Sequence, residues 1–264
     1  MKRGSFGLVA DGPAAIARAV RLCVREGVDN IKVNISGDDF VPAKGGMTVM
    51  REDGVRMACE VAHDFGKKVA SHSRASNAVL RPLACGVDVI YHCELADSQA
   101  LDQLEAARDR VFVGPAIGLI HNTLYEAEAW GITREAACTM GMQRCLENAQ
   151  RTYEQMRRRG IRTVIGGDYG FAWTPQGTNA RDIEHFVSLF GYSASEALQC
   201  ATRIGGELMG LPLGELKTGY LADLLVVDGD PLRDVRVLQD KTRLKAIIKD
   251  GLLFKNLLDD AHVA

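Results

Sequence analysis

The chain has 264 residues, is 47% hydrophobic and 25% charged, and carries a formal net charge of -2. That is the balance of a globular protein with room for one large domain or one and a half ordinary ones. It excludes a basic stripe for nucleic acid and a charged interaction tail, and no apolar run reaches the roughly 18 residues of a membrane span.

Asp11-Gly12-Pro13 opens the first helix, with Asp11 as the expected cap and Pro13 in the first turn. Ile16, Val20, Leu22 and Cys23 give it an apolar face, and Gly27 ends it. Residues 30–35 read as a strand. Residues 51–65 read as a helix with Val55, Met57, Ala58 and Val61 in its stripe and Gly66 as its stop. A strand over 67–72, a helix over 75–85 closing at Gly86, a strand over 87–92, a helix over 97–107 and a strand over 110–113 follow. Residues 133–159 form one long helix or a broken pair, 162–165 a fifth strand, and 179–190 and 194–203 two further helices.

Strand then helix, repeated five times, is the signature of an α/β fold with a parallel sheet and crossover helices. The strands are short and apolar on both faces, as parallel strands buried between layers should be. After about residue 213 the pattern changes. Residues 219–228 read as a strand, 235–238 as another short strand, and 244–249 with 252–254 as a hairpin around Asp250-Gly251. The expected organisation is therefore one domain over 1–213 and a small antiparallel β unit over 214–264. Seven scattered cysteines with no CxxC pair read as buried thiols of a reducing compartment. The first residues hold two basic side chains but no apolar signal core, so the expected location is the cytoplasm.

Four residues of ligand type lie at or near the ends of the short apolar runs. Lys32 lies in the first, His72 and His92 end the next two, and Asp168 follows Gly166-Gly167 after the run at 162–165. In a barrel of alternating strands and helices, the C-terminal strand ends converge on one face, so the four suggest a metal site. His72 and His92 lie 20 residues apart, about one strand-helix unit, and imidazole suits zinc and other first-row metals. Each histidine also has a plain reading as a hydrogen-bonded structural residue. Lys32 has two readings: a snorkelling or paired lysine, or a buried neutral amine that reacts with CO2 to give a metal-bridging carbamate. Asp168 is either a turn aspartate between glycines or a carboxylate that takes a proton from a metal-bound water.

Taken in order, 29–33, 69–72, 86–92 and 165–168, with Ala201-Thr202, Gly214 to Gly219 and 222–231 in the tail, these segments resemble the metal-dependent amidohydrolase superfamily. The likeness is to its prolidase-like and imidazolonepropionase-like members and runs over nearly the whole chain. It implies a (β/α)8 TIM barrel, of which the C-terminal five strand-helix units are present, and a tail that is part of a small β-sandwich. It further implies a divalent metal, zinc by first choice and one or two ions, with Lys32 as a carbamylated bridge, His72 and His92 on one ion, and Asp168 as ligand and general base. The implied reaction is hydrolysis of a C–N bond in a small amide or dipeptide.

The family's His-x-His pair on the first barrel strand has no counterpart here. The resemblance therefore also implies a chain lacking the N-terminal part, and a second reading stands: a silent fragment, or a subunit that needs a partner supplying those ligands. A third is a metal-free barrel enzyme with Asp168 and His72 as an acid/base pair. Exposed sheet edges predict a homo-oligomer. His121 lines the substrate mouth or caps the segment after the fourth strand. Tyr169, Phe171 and Trp173 form an apolar substrate pocket or pack the barrel rim. Asp38 and Asp39 read as a surface loop, and His63 and His185 as structural helix residues.

Overall fold

The computed structural model describes residues 7–38 and 44–258. Its elements in chain order are α1 (Pro13–Arg25), β1 (Asn30–Asn34), α2 (Glu52–Asp64), β2 (Lys68–Ala75), α3 (Ser76–Cys85), β3 (Val89–Leu95), α4 (Ser98–Ala106) and β4 (Phe112–Gly114). Then come α5 (Ile117–Tyr125), α6 (Arg134–Thr139), α7 (Met142–Arg158), α8 (Arg181–Phe190), α9 (Ala194–Ala201) and α10 (Arg203–Met209). β5 (Leu224–Val227), β6 (Leu244–Lys249) and β7 (Leu252–Asn256) close the described chain. Two compact units result, Met1–Pro115 with Cys138–Ile161, and Ala116–Ala137 with Arg162–Ala264.

The first unit is built on a four-stranded parallel sheet in the order β1-β2-β3-β4, with α2, α3 and α4 as the crossovers. Fully buried Val69, Ile90, Leu104 and Val113 fill it, with Val55 and Ala58 from α2. The helix ends follow the local chemistry. Gly86 closes α3 at φ 89 with its N–H on the last-turn carbonyls, a conformation that Cβ-bearing residues resist. Asp97 caps α4 by accepting the Ala100 N–H at 2.9 Å. α7 packs against β3 with Cys145, Leu146, Ala149, Tyr153 and Met156 buried.

The second unit holds α5, α8, α9, α10 and the antiparallel sheet β5-β6-β7. Asp250 and Gly251, at φ 52 and 76, make the expected turn between β6 and β7, where both central residues need positive φ. A capping box joins Ser193 and Glu196 at the start of α9.

The structure departs from the expected elements at several points and decides between the two readings of one segment. Gly12, not Asp11, occupies the cap of α1, with no side-chain cap bond. The segment 133–159 is the broken pair α6 and α7, interrupted at Gly141 (φ 91). Residues 162–165 form no strand, so four strand-helix units of the first kind stand where five are expected. Thr163 makes only an isolated bridge, and its burial comes from side-chain contacts, including a 2.8 Å hydroxyl bond with Tyr192. β-branched residues report fit to a packed surface, not pairing itself. Residues 235–239 form a 3-10 turn instead of a strand, because Asp234 accepts the Arg236 N–H and curls the chain.

Candidate active site

His72, His92 and Lys32 belong to the first unit. In the parallel register His72 stands beside Tyr91, and Ser73 beside His92. A regular pleat would therefore aim the two imidazoles at opposite faces of the sheet. Left-handed backbone at His92 (φ 80) and Cys93 (φ 60) breaks the pleat. The two rings meet edge to face with centroids 4.2 Å apart. Such φ values are costly for residues with a Cβ and cluster at functional sites.

Both rings are buried, at 8% and 5% exposure. Burial, which disfavours the charged form, pushes the His72 pKa down, helped by the Lys32 and Arg74 charges and opposed by the Gly37 carbonyl and Asp38. Burial and then the His72, Arg74 and Lys32 charges hold His92 well below its ordinary value. Both are therefore neutral imidazoles, the form that ligates metal. His72 Nε2 lies 3.1 Å from the Gly37 carbonyl, which can only accept, so Nε2 carries the proton and Nδ1 the lone pair. This donor chemistry fits a first-row divalent ion.

Lys32 is exposed on edge strand β1, its Nζ 5.5 Å from the Tyr91 ring centroid. Of the two readings of Lys32, this position agrees with the snorkelling or paired lysine and not with a buried amine: β1 has no strand on its outer side among the described residues. Asp38, read as a surface loop residue, is half-buried with Oδ2 3.6 Å from His72 Nε2; Asp39 lies outside the described residues. Among the described residues, no three His, Cys, Asp or Glu side chains gather closely enough to hold a metal ion.

Two charged neighbours of the histidines escaped the sequence reading. Two residues beyond each histidine, Arg74 and Glu94 form a buried ion pair through Arg74 Nε and Glu94 Oε1. Arg74 also reaches Cys145 Sγ at 2.9 Å, and its backbone N–H donates to Ser36 Oγ at 3.1 Å. The available signal was a pair of opposite charges at matching positions past two strand-end histidines.

Asp168 belongs to the second unit, at φ 54, and is exposed. The glycine-rich turn places its carboxylate in solvent. Its loop is pinned on both sides. The Leu119 N–H donates to the Gly167 carbonyl at 2.8 Å, and the Gly170 N–H to the Thr174 carbonyl at 2.8 Å. Tyr169 donates its hydroxyl to Asp182 Oδ1 at 3.0 Å. Trp173 stacks on Phe171 and gives its indole N–H to Thr123 at 2.9 Å. His121 stands on α5, with Nδ1 3.2 Å from Asn122 Oδ1.

Asp182 is the other missed residue, fully buried at the start of α8. Burial raises its pKa from 3.8 to about 7, with the Tyr169 hydroxyl and Arg181 opposing and Asp168 adding to the rise. A carboxyl that binds its proton more tightly when folded stabilises the fold fully below the unfolded value. That contribution is lost as pH climbs from about 4 to about 7. Asp182→Asn should therefore flatten the fall in stability over that window, by up to about 1.4 kcal/mol per pH unit. Denaturant titrations at several pH values check it; parallel wild-type and variant curves would show that Asp182 does not titrate there.

The amidohydrolase family model matches residues 6–253. The ochratoxinase of Aspergillus niger is 24% identical over 255 residues, covering 94% of this chain and 50% of its own length. The chain thus spans about half the length of the curated relatives it matches. A solved amidohydrolase is 29% identical with a TM-score of 0.84, over 96% of this chain and 60% of that one. A solved Xaa-Pro dipeptidase with methionine in its active site is 27% identical with a TM-score of 0.79, over 96% and 62%.

Proposed function

The chain belongs to the amidohydrolase family, and from that premise we propose that it carries the C-terminal part of a metal-dependent hydrolase acting on C–N bonds of small amides or dipeptides. The observation that carries this reading is the convergence of His72 and His92, whose rings meet at 4.2 Å only because the backbone at His92 leaves the strand conformation. The likeness to an ochratoxinase and to an Xaa-Pro dipeptidase supports the amide or dipeptide class. The parallel βα units and the antiparallel tail are read as part of a (β/α)8 barrel, over 1–213, and part of a β-sandwich, over 214–264.

In this reading His72 and His92 hold a divalent ion, zinc by first choice, Lys32 joins as a carbamate, and Asp168 is ligand and general base. The ion would polarise the scissile carbonyl and make its bound water acidic. Asp168 takes the proton of the attacking water and passes it to the leaving amine. Its exposed position on a pinned turn suits that traffic. Tyr169, Trp173 and His121 are proposed to border the substrate.

A second reading rests on the half-length match and on Lys32 lying exposed at a sheet edge. Lysine carbamylation needs cover over that face, so the chain would work with a further N-terminal segment or partner, or in a homo-oligomer. Assay of N-acyl amino acids and dipeptides with added zinc or manganese tests both. Chelator-sensitive turnover by the chain alone supports the first reading; turnover only on adding the N-terminal part supports the second; chelator-insensitive turnover overturns metal dependence.

A further inference from the structure

We infer that His121 and His185, brought together by α5 and α8, form a two-imidazole site for a first-row divalent cation, separate from the histidine pair of the first unit. Their ring centroids lie 4.4 Å apart at 42°. One ion with bonds of about 2.0–2.1 Å can take a nitrogen from each ring at such a separation, with water filling the remaining positions.

Three observations point to a ligand rather than to packing alone. First, His185 is 4% exposed and its Nε2 is buried with no hydrogen-bond partner. An unsatisfied buried nitrogen is costly, and a histidine packed only for bulk is readily replaced by an apolar residue. Second, His121 Nδ1 faces Asn122 Oδ1 at 3.2 Å. A carbonyl-type oxygen accepts, so Nδ1 carries the proton and Nε2 keeps its lone pair. That is the arrangement by which outer partners orient a metal-binding imidazole. Third, Asp182 sits one turn before His185 on the same helix face, with Oδ2 buried and lacking a partner. Its carboxyl holds its proton up to about pH 7 and, by releasing it beside a cation, offsets that charge. The neighbouring Arg181 guanidinium is occupied by Glu126.

The protonation state suits the role. Burial, with the His121 and Arg181 charges, lowers His185 to about 3. Burial also lowers His121. Both rings are neutral at ordinary pH, and His121, half-buried, leaves the pair open on one side. The assignment does not depend on the reaction proposed above.

Zinc titration of the full chain, followed by calorimetry and by the ring-nitrogen resonances of labelled histidine, tests it. The expected result is one ion that moves the signals of both His121 and His185. His121→Gln, at the half-buried position, should weaken that ion about tenfold or more, at least the loss that removal of an outer partner brings. His92→Gln should leave it in place. Zinc binding that moves neither ring, or that is indifferent to His121→Gln, overturns the site, and so does an absence of binding. The wild-type resonances carry the test even where His185→Gln disturbs the fold.

Discussion

Asp168→Asn is expected to lower kcat/KM by about 10²–10⁴ while metal content and fold stay as they are, the range typical for loss of a positioned general base. The substitution isolates the proton. Asparagine keeps the shape of aspartate and tolerates the left-handed backbone that Asp168 occupies at φ 54. The loop itself is held by other groups, the Gly167 carbonyl and the Gly170 N–H among them. What is lost is a carboxylate that can accept a proton at one step and return it at the next. Initial rates on the chain, or on its assembly with an N-terminal part, measured at matched metal loading, check the expectation. Unchanged turnover would remove Asp168 from the chemistry and leave the acid/base role to another group.

Glu94→Gln is expected to cost about 3–5 kcal/mol of folding stability, the range seen when one member of a buried ion pair is removed. Glu94 and Arg74 are 3% and 4% exposed. Glutamine fills the same volume but leaves the guanidinium without its counter-charge, and a buried cation without compensation is severely unfavourable. Arg74 cannot shed its proton to escape, since its pKa lies too high. The double change Arg74→Met with Glu94→Leu should recover most of the loss, because it removes both desolvated charges together. Chemical denaturation of the three variants decides the matter. A cost under about 1 kcal/mol for Glu94→Gln would mean that water reaches the pair. The position gives the result functional weight: each member lies two residues past a candidate ligand, on neighbouring parallel strands.

The parallel βα architecture was legible because each unit is punctuated. Gly66 and Gly86 stop helices, β-branched runs start strands, and Asp250-Gly251 announces the hairpin. The candidate ligands were legible because histidine at the end of an apolar run is chemically out of place. Their convergence was not. Strand periodicity aims His72 and His92 apart, and only the positive φ at His92 and Cys93 brings the rings together. α5 was missed because Ile117–Tyr125 is buried nearly all round, so it lacks the one-sided stripe that marks a helix. Asp182 looked like an acidic residue suited to the first turn of a helix, and nothing in the sequence told of its burial beside Tyr169. The exposure of Lys32 depends on which strand forms the sheet edge, a property of topology and not of the lysine's neighbours in sequence.

Metal content per chain, determined by elemental analysis after exhaustive dialysis, tests the central claim most directly. The predicted result is tightly held divalent metal in the wild type, with one ion per chain lost in His92→Ala and again in His72→Ala, and full retention in His63→Ala on helix α2. A wild-type chain without metal, or a metal content that neither His72→Ala nor His92→Ala lowers, would contradict the assignment of this histidine pair to a hydrolase metal centre.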